Sequence, residues 1–175
     1  MRDRLKSDRL LGPIAILACL GAYQLSPVRA QEPTLPQAPS ATESGLVTVA
    51  SLHPAAETIE RFEAAVQAKG WAVFAKLDHA AAAEAAGFQL RPRTVVVFGN
   101  PKAGTPAMRT NPTLAIDLPL KALVWEDESG KVWLTYNSAE FVGQHVYGRH
   151  GLNLGPEPTQ GLAKLLGDVV REATQ

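Results

Sequence analysis

The chain has 175 residues, of which 46% are hydrophobic, and its 17 Lys and Arg residues balance 17 Asp and Glu residues. This length suits one ordinary domain with its own core. The balanced charge excludes the basic stripe that nucleic-acid binding requires.

The first 30 residues have the features of an export signal. MRDRLKSDRL is basic, the 13 residues Leu10–Ala22 are almost free of polar groups, and a small residue follows at Ala30. These features predict a signal peptide over residues 1–30, cleaved after Ala30, and a periplasmic or secreted product. The apolar run is too short to span a bilayer, which needs about 20 residues. Lipid attachment at Cys19 is an alternative, because Ile16–Cys19 loosely resembles a lipobox.

Removal of this signal changes the charge and the chemistry of the mature chain. Residues 31–175 hold 12 Lys and Arg against 15 Asp and Glu, a net charge of −3, and they contain no cysteine. We therefore predict no disulfide, no thiolate nucleophile and no cysteine-ligated metal. We also predict no cofactor, no nucleic-acid partner and, after cleavage, no membrane partner.

The mature chain divides into a linker and one domain. Residues 31–45 read QEPTLPQAPSATESG, and their prolines among Ser, Thr and Gln predict a disordered linker. Residues 46–175 are predicted to fold as a single α/β domain. The strands are expected at Leu46–Leu52, Trp71–Asp78 and Thr94–Phe98 and in two flanks of a hairpin around Glu128–Gly130. The helices are expected after Pro54, at Ala80–Gly87, at Ser138–Gly151 and around Leu162–Val170.

This order of elements predicts an α+β fold with two layers. The order is βαβαβ, then a hairpin, then two helices, which suits one mixed sheet with helices mainly on one face. Val95–Phe98 is apolar at every position, whereas a strand with one wet face would alternate. We therefore expect this strand to be buried on both faces.

The stretch Thr94–Pro106, TVVVFGNPKAGTP, is the first candidate site. Gly99 and Gly104 echo a phosphate loop, but that loop needs a lysine directly after its second glycine, where this chain has Thr105. Thr105 as an N-cap and Pro106 as the first helical residue would instead aim free N–H groups beside Gly104, an arrangement that favours anions. A rigid turn is the alternative. Lys102 would add a positive charge or simply face water.

Further candidates lie downstream and among the histidines. Asp117 lies in an apolar stretch, four residues before Lys121, and is expected to pair with it or to cap the next turn. His79 directly follows Asp78, which suggests either an acid–base pair or a helix cap at Asp78. His145 and His150 are five residues apart, not four, so we predict no metal site.

Four short motifs occur in a recognisable order. They are Asp78-His79, FGNPKAGTPAM at Phe98–Met108, DLPLKALVWED at Asp117–Asp127, and Arg149-His150-Gly151. In these motifs the chain resembles the bacterial and archaeal domain-of-unknown-function family 302, from Leu46 to its C-terminus. The resemblance implies a compact two-layer α/β fold that can form homodimers, and a motif that includes Asn100, Pro101, Gly104, Thr105, Met108 and Asp117. It implies no activity.

Three functions follow as hypotheses. The favoured one is a non-enzymatic exported domain that binds a small ligand at FGNPKAGTP, near His79 and Asp117, with an anion as the candidate class of ligand. The predicted ligand-binding residues are Asn100, Lys102, Gly104, Thr105, Met108, Asp117 and Lys121. The second is a hydrolase or isomerase in which His79 works with Asp78 or Asp117 as acid–base groups. The third is a homodimeric interaction module in which the motif loop forms the contact.

Overall fold

A computed structural model describes residues 44–175, so the predicted signal and nearly all of the predicted linker lie outside it. The strands are β1 Leu46–Ala50, β2 Ala72–Asp78, β3 Arg93–Gly99, β4 Leu120–Glu126 and β5 Val132–Asn137. The helices are α1 Ala55–Ala68, α2 His79–Ala85, α3 Pro101–Thr110, α4 Ala139–Phe141 and α5 Pro156–Thr174. Shorter turns of helix are 3₁₀ at Pro112–Ile116 and Gly148–His150 and π at Val142–Tyr147.

The five strands form one sheet in the order β1-β5-β4-β3-β2, and every neighbouring pair is antiparallel. The predicted α+β fold is confirmed, but the mixed sheet is not, because no pair among the described strands is parallel. Helix α1 carries the chain from one edge strand, β1, to the other, β2. Helix α2 has seven residues and is about 10 Å long, too short to return the chain along β2, which is about 23 Å long. Strand β3 therefore runs back beside β2.

The core lies between one face of the sheet and the pair of helices α1 and α5. Phe62 of α1 meets Phe98 of β3 edge to face, with 5.1 Å between ring centroids. Both are buried, as are Val96 and Leu134 of the sheet and Val169 of α5. Aromatic pairs in this geometry stabilise a core beyond the area that they bury.

The opposite face of the sheet is more open than the sequence predicts. Val95 and Val97 are half-buried, whereas Val96 and Phe98 are buried. The expectation that β3 is covered on both faces is therefore wrong. Large side chains of the sheet itself pack together on this open face. Trp125 and Trp133 stack with 6.2 Å between ring centroids. This packing explains why apolar residues are stable on a face that no long helix of the described residues covers.

The predicted hairpin is confirmed and Asp127 organises it. Gly130 has φ +83°, the left-handed conformation that the sequence predicts at the end of this loop. The Asp127 carboxylate accepts hydrogen bonds from the Ser129 hydroxyl at 2.6 Å and the Trp133 indole at 2.7 Å. These bonds hold the pKa of Asp127 below its ordinary value, although desolvation opposes the shift.

The helix boundaries follow the predicted signals in most places. Helix α1 begins after Pro54 and ends before Gly70, which has φ +73°. Ser138 caps the segment that follows β5, accepting a hydrogen bond from the Phe141 N–H, as predicted. That segment is not one regular helix but passes through α, π and 3₁₀ turns before Gly151. Within residues 44–175, no helix is both long and apolar enough to cross a membrane.

Candidate functional site

The stretch FGNPKAGTP is the end of a strand and the start of a helix, not a loop. Strand β3 ends at Gly99, Asn100 is the N-cap, and Pro101 is the first residue of α3. The Asn100 side-chain oxygen accepts the Lys102 N–H at 3.0 Å. Asn100-Pro101 and Thr105-Pro106 are both cap-then-proline signals, and the chain uses the first one. The predicted cap at Thr105 is therefore wrong, and Thr105 lies in the middle of α3.

This helix start leaves little for an anion to bind. Pro101 has no N–H, and the Lys102 N–H is bonded to the Asn100 side chain. The N–H groups of Ala103 and Gly104 donate to the Asn100 carbonyl at 3.0 and 2.9 Å. The first turn of α3 thus satisfies its own donors, so the predicted cradle of free N–H groups beside Gly104 is not formed.

A cavity of about 360 Å³ lies beside this helix start. Its walls come from the ends of β2, β3 and β4, from α3, from the π turn and from the first half of α5. The lining residues are Trp71, Phe74, Gly99, Asn100, Pro101, Ala103, Gly104, Met108, Leu118, Pro119, Leu120, Val142, Tyr147, Leu154, Pro158, Gly161, Leu162 and Leu165. The volume falls in the ~300–1,000 Å³ range that is typical of small-molecule sites.

The two glycines of the motif shape this cavity by being small. A Cβ on Gly99 would lie 3.4 Å from the Pro119 Cβ and 3.6 Å from the Phe74 ring. A Cβ on Gly104 would lie 3.4 Å from a methyl group of Leu118. The sequence suggested that these glycines are loop residues that supply unusual backbone angles. Their role here is to let apolar walls approach the backbone closely.

Among the lining residues that the structure describes, three have side chains with a nitrogen or oxygen atom, namely Trp71, Asn100 and Tyr147. The Asn100 oxygen is committed to the Lys102 N–H, so its Nδ2 group remains as a donor. The Tyr147 phenol is protonated at neutral pH, because the ordinary pKa of tyrosine is about 10, and burial raises this pKa further. The Trp71 indole is a donor only. Each of the three can therefore donate a hydrogen bond to a bound molecule.

Asp117 lies next to the cavity, in a polar cluster that the sequence did not predict. The Arg149 Nε donates to one carboxylate oxygen at 2.6 Å, and its Nη2 donates to the other. The His150 Nε2 lies 2.7 Å from the same carboxylate. Partial burial raises the pKa of Asp117, but the hydrogen bonds from His150 and Arg149 outweigh it and the net pKa is lowered.

His150 is the buried centre of this cluster. Its side chain is 8% exposed, and its Nδ1 lies 2.7 Å from the Thr113 hydroxyl. The Asn111 side-chain amide donates to the His150 carbonyl at 2.6 Å. Both ring nitrogens are thus held, one by a carboxylate and one by a hydroxyl. The cluster ties the turn at Pro112–Ile116 to the turn at Gly148–His150. These turns are close in the chain to the lining residues Leu118 and Tyr147, so the cluster braces the segments next to the cavity.

Lys121 does not pair with the Asp117 carboxylate. Its Nζ donates instead to the backbone carbonyls of Asp117 and Pro119, at 3.2 and 3.0 Å. The predicted ion pair between these two side chains is wrong, because the carboxylate is turned toward Arg149 and His150. The carbonyl bonds hold the start of β4, where the cavity wall begins.

His79 and Asp117 lie at opposite ends of the sheet. Asp78 pairs with Thr94, whereas Leu120 pairs with Phe98, four residues further along β3 and about 13 Å away. The sequence-based hypothesis placed the ends of β2 and β3 together, which an antiparallel pair does not allow. Asp78 accepts the Ala80 and Ala81 N–H groups, which confirms it as a helix cap. An acid–base pair of His79 with Asp117 is therefore excluded.

The predicted ligand-binding residues divide into two groups. Asn100, Gly104 and Met108 line the cavity, whereas Lys102, Thr105, Asp117 and Lys121 do not. Sequence reasoning missed Tyr147 and Leu118. The available signal was their position, since Leu118 belongs to the motif at Asp117–Asp127 and Tyr147 lies two residues before Arg149.

Comparison with known proteins identifies similar chains. The family model for the domain of unknown function DUF302 matches residues 47–169. Two curated proteins named "Fluoride-specific ion channel FluC 1", from Brucella suis and Brucella abortus, are 47% identical over 122 residues. The match covers 70% of this chain but 46% and 44% of theirs, so the chain spans about half the length of these relatives.

A solved structure has the same fold. The crystal structure of an uncharacterized conserved DUF302 protein from Bacillus stearothermophilus superposes with a TM-score of 0.61. It is 19% identical, and the superposition covers 74% of this chain and 98% of that one. At this level of identity, the likeness concerns the fold alone.

Proposed function

This chain belongs to the DUF302 family, and we propose that it is an exported domain that binds a small, mainly apolar molecule beside α3. The observation that carries the proposal is the cavity of about 360 Å³, whose walls are almost entirely apolar side chains. Burying an apolar molecule of matching size there removes its surface from water, which is favourable by about 25 cal/mol per Å². Among the described residues, those that line the cavity carry no formal charge.

We propose an apolar ligand rather than an anionic one because the two classes differ in the cost of desolvation. An anion that enters an apolar cavity loses its hydration and gains few compensating partners. The first N–H groups of α3 are already bonded to Asn100, and Lys102 is exposed outside the lining. A neutral ligand avoids this desolvation cost, so the apolar class is favoured over the anionic one.

Export is part of the proposal and rests on the sequence of residues 1–30. The basic start, the short apolar run and the small residue at Ala30 support a cleaved signal. Mass spectrometry of the protein purified from its native cells tests this step. An N-terminus at Gln31 supports it, and an intact Met1 contradicts it.

The cavity can be tested with one reporter atom. Met1 and Met108 are the two methionines of the chain, and Met108 lines the cavity. We expect the neutral fluorophore N-phenyl-1-naphthylamine to shift the ¹³C-methyl signal of Met108 and to gain fluorescence with saturation. If the fluorophore leaves both signals unchanged at its solubility limit, the proposal is wrong.

Helix α5 offers a matched pair of variants for the same experiment. Gly161 and Gly167 are both exposed, and a Cβ added at either position would have no neighbouring atom within 4 Å. Gly161 lines the cavity, whereas Gly167 does not. We expect Gly161→Phe to fill the cavity and weaken probe binding at least tenfold, and Gly167→Phe to bind as the wild type does. Equal affinity in the two variants would place the probe elsewhere.

The names of the curated relatives suggest fluoride as a different ligand. Fluoride is a small, strongly hydrated anion, and the apolar lining is poorly suited to replace its water. We therefore propose the apolar molecule ahead of fluoride for this chain. Titration of the Met108 methyl signal with sodium fluoride, against sodium chloride at equal ionic strength, compares the two. A saturable shift that is specific to fluoride would favour the relatives' ligand.

A second candidate function is a homodimeric module, favoured by the open face of the sheet. Trp125 and Trp133 stack on this face, and Leu77, opposite Val95 in register, is 51% exposed. Large exposed apolar patches mark interaction sites. Sedimentation should then show a dimer that Leu77→Asp dissociates and the distant Leu52→Asp does not. A monomer in the wild type rejects this candidate.

A further inference from the structure

The polar groups of the cavity share one chemical property. Within the described part of the chain, the lining residues with a polar side chain are Trp71, Asn100 and Tyr147, and each carries a hydrogen-bond donor. We infer that the ligand is a neutral apolar molecule with a hydrogen-bond acceptor, such as a ketone or an aldehyde, held by Asn100 Nδ2 and the Tyr147 hydroxyl. This inference rests on the proposed function and names the class of ligand for the same site.

The assignment of Asn100 as a donor follows from its role as a cap. The Lys102 N–H requires an acceptor, and the Asn100 Oδ1 lies 3.0 Å away. The other end of the same amide is an NH₂ group, which carries donors and no acceptor. Because Asn100 is both a cap and a lining residue, the helix start fixes which end of the amide is committed.

Tyr147 supports the same assignment from a second element that lines the cavity. It belongs to the π turn Val142–Tyr147, and burial raises the pKa of its phenol. A phenol that stays protonated can donate to a carbonyl oxygen of the ligand. The turn is held in place from behind, because His150, three residues later, is bonded to Asp117 and Thr113. Tyr147 therefore lies three residues before a side chain, His150, whose hydrogen bonds hold this part of the chain in place.

The uncharged lining should bind a ligand with a carbonyl group in preference to one with a carboxylate group. Hydrogen bonds to two donors can replace the water that a ketone oxygen loses on burial. A carboxylate loses far more hydration, and the lining residues that the structure describes include no cation to pair with it. The cavity should therefore prefer the neutral member of a matched pair of compounds.

The test uses three compounds with one aromatic body: butylbenzene, 4-phenyl-2-butanone and 3-phenylpropionate. Tyr147→Phe removes one donor. Asn100→Asp removes the other and keeps an oxygen that can cap α3, and Gly167→Phe is the control outside the cavity. Affinities come from titration of the Met108 methyl signal, and thermal unfolding checks that each variant is folded.

We expect each donor variant to weaken the ketone about five- to tenfold and butylbenzene less than twofold. We also expect 3-phenylpropionate to bind the wild type more weakly than the ketone. The inference is overturned if both variants leave the ratio of ketone to butylbenzene affinity unchanged, or if the carboxylate binds more tightly. In those cases butylbenzene still binds and the proposed function stands. If no compound binds, the proposed function and the inference both fail.

Discussion

Replacing Asp117 by Asn tests whether the polar cluster braces the cavity wall. The side chain is 19% exposed and joins buried His150 to exposed Arg149. A charge-assisted hydrogen bond to a buried partner contributes about 1.5–3 kcal/mol, and an exposed ion pair about 0–1 kcal/mol. We therefore expect Asp117→Asn to lower the free energy of unfolding by about 2–3 kcal/mol, as measured by urea denaturation at pH 7.

Asp168 is a matched control for this change. Its carboxylate also joins two cations, Lys164 and Arg171, each at 2.6 Å, and it is 21% exposed. Both partners lie on the surface, at 78% and 59% exposure, where water and salt weaken the pairs. We expect Asp168→Asn to shift the urea midpoint less than half as much. Equal shifts would show that the buried histidine adds nothing, and the bracing argument would be wrong.

The difference in stability between the wild type and Asp117→Asn should change with pH in a defined direction. The folded protein lowers the pKa of Asp117, so the carboxylate stabilises the fold above its unfolded pKa of about 3.9. That stabilisation is lost as the pH falls through the lower folded value. The stability gap between the wild type and Asp117→Asn should therefore be full above about pH 5 and narrow below about pH 4. A gap that widens in acid would contradict this reasoning.

Two further pairs of variants test the packing. Phe62→Ala should cost about 3–5 kcal/mol of unfolding free energy because Phe62 is fully buried. Phe88 is 71% exposed, so Phe88→Ala should cost under about 0.5 kcal/mol. Similar urea midpoints for the two variants would contradict the core assignment. Gly143→Ala should lower the melting temperature, since its Cβ would lie 3.2 Å from the Thr159 hydroxyl oxygen. Gly148 has open space around it and a φ of −60°, so Gly148→Ala should leave the melting temperature unchanged or raise it.

Local signals predicted the parts of the fold that depend on neighbours in sequence. The hairpin glycine, the Ser138 cap and α5 were all predicted, because turn and helix preferences act over a few residues. The direction of β3 was not predicted, because it depends on whether α2 is long enough to return the chain along β2. The start of α3 was missed because two cap-then-proline signals occur five residues apart, and preference alone does not choose between them.

The candidate site was predicted only in part for a related reason. Asn100, Gly104 and Met108 line the cavity and lie in one motif, so sequence reasoning found them together. Tyr147 comes from a segment about 40 residues further along the chain, and no pattern in one sequence reports that approach. The partners of Asp117 are 32 and 33 residues away, whereas the predicted partner was four residues away. Sequence reasoning favoured a partner close in the chain because a single sequence shows only which residues are near one another along it.

One residue, Asn100, therefore serves both the start of a helix and the wall of a cavity. The Asn100 oxygen caps the start of α3, and the same residue lines the cavity. Evolution or protein engineering can alter the chemistry at position 100 only among residues that still begin the helix, which leaves very few choices. The shape of the cavity can change more freely at Gly161 of α5, which has open space around it for a side chain.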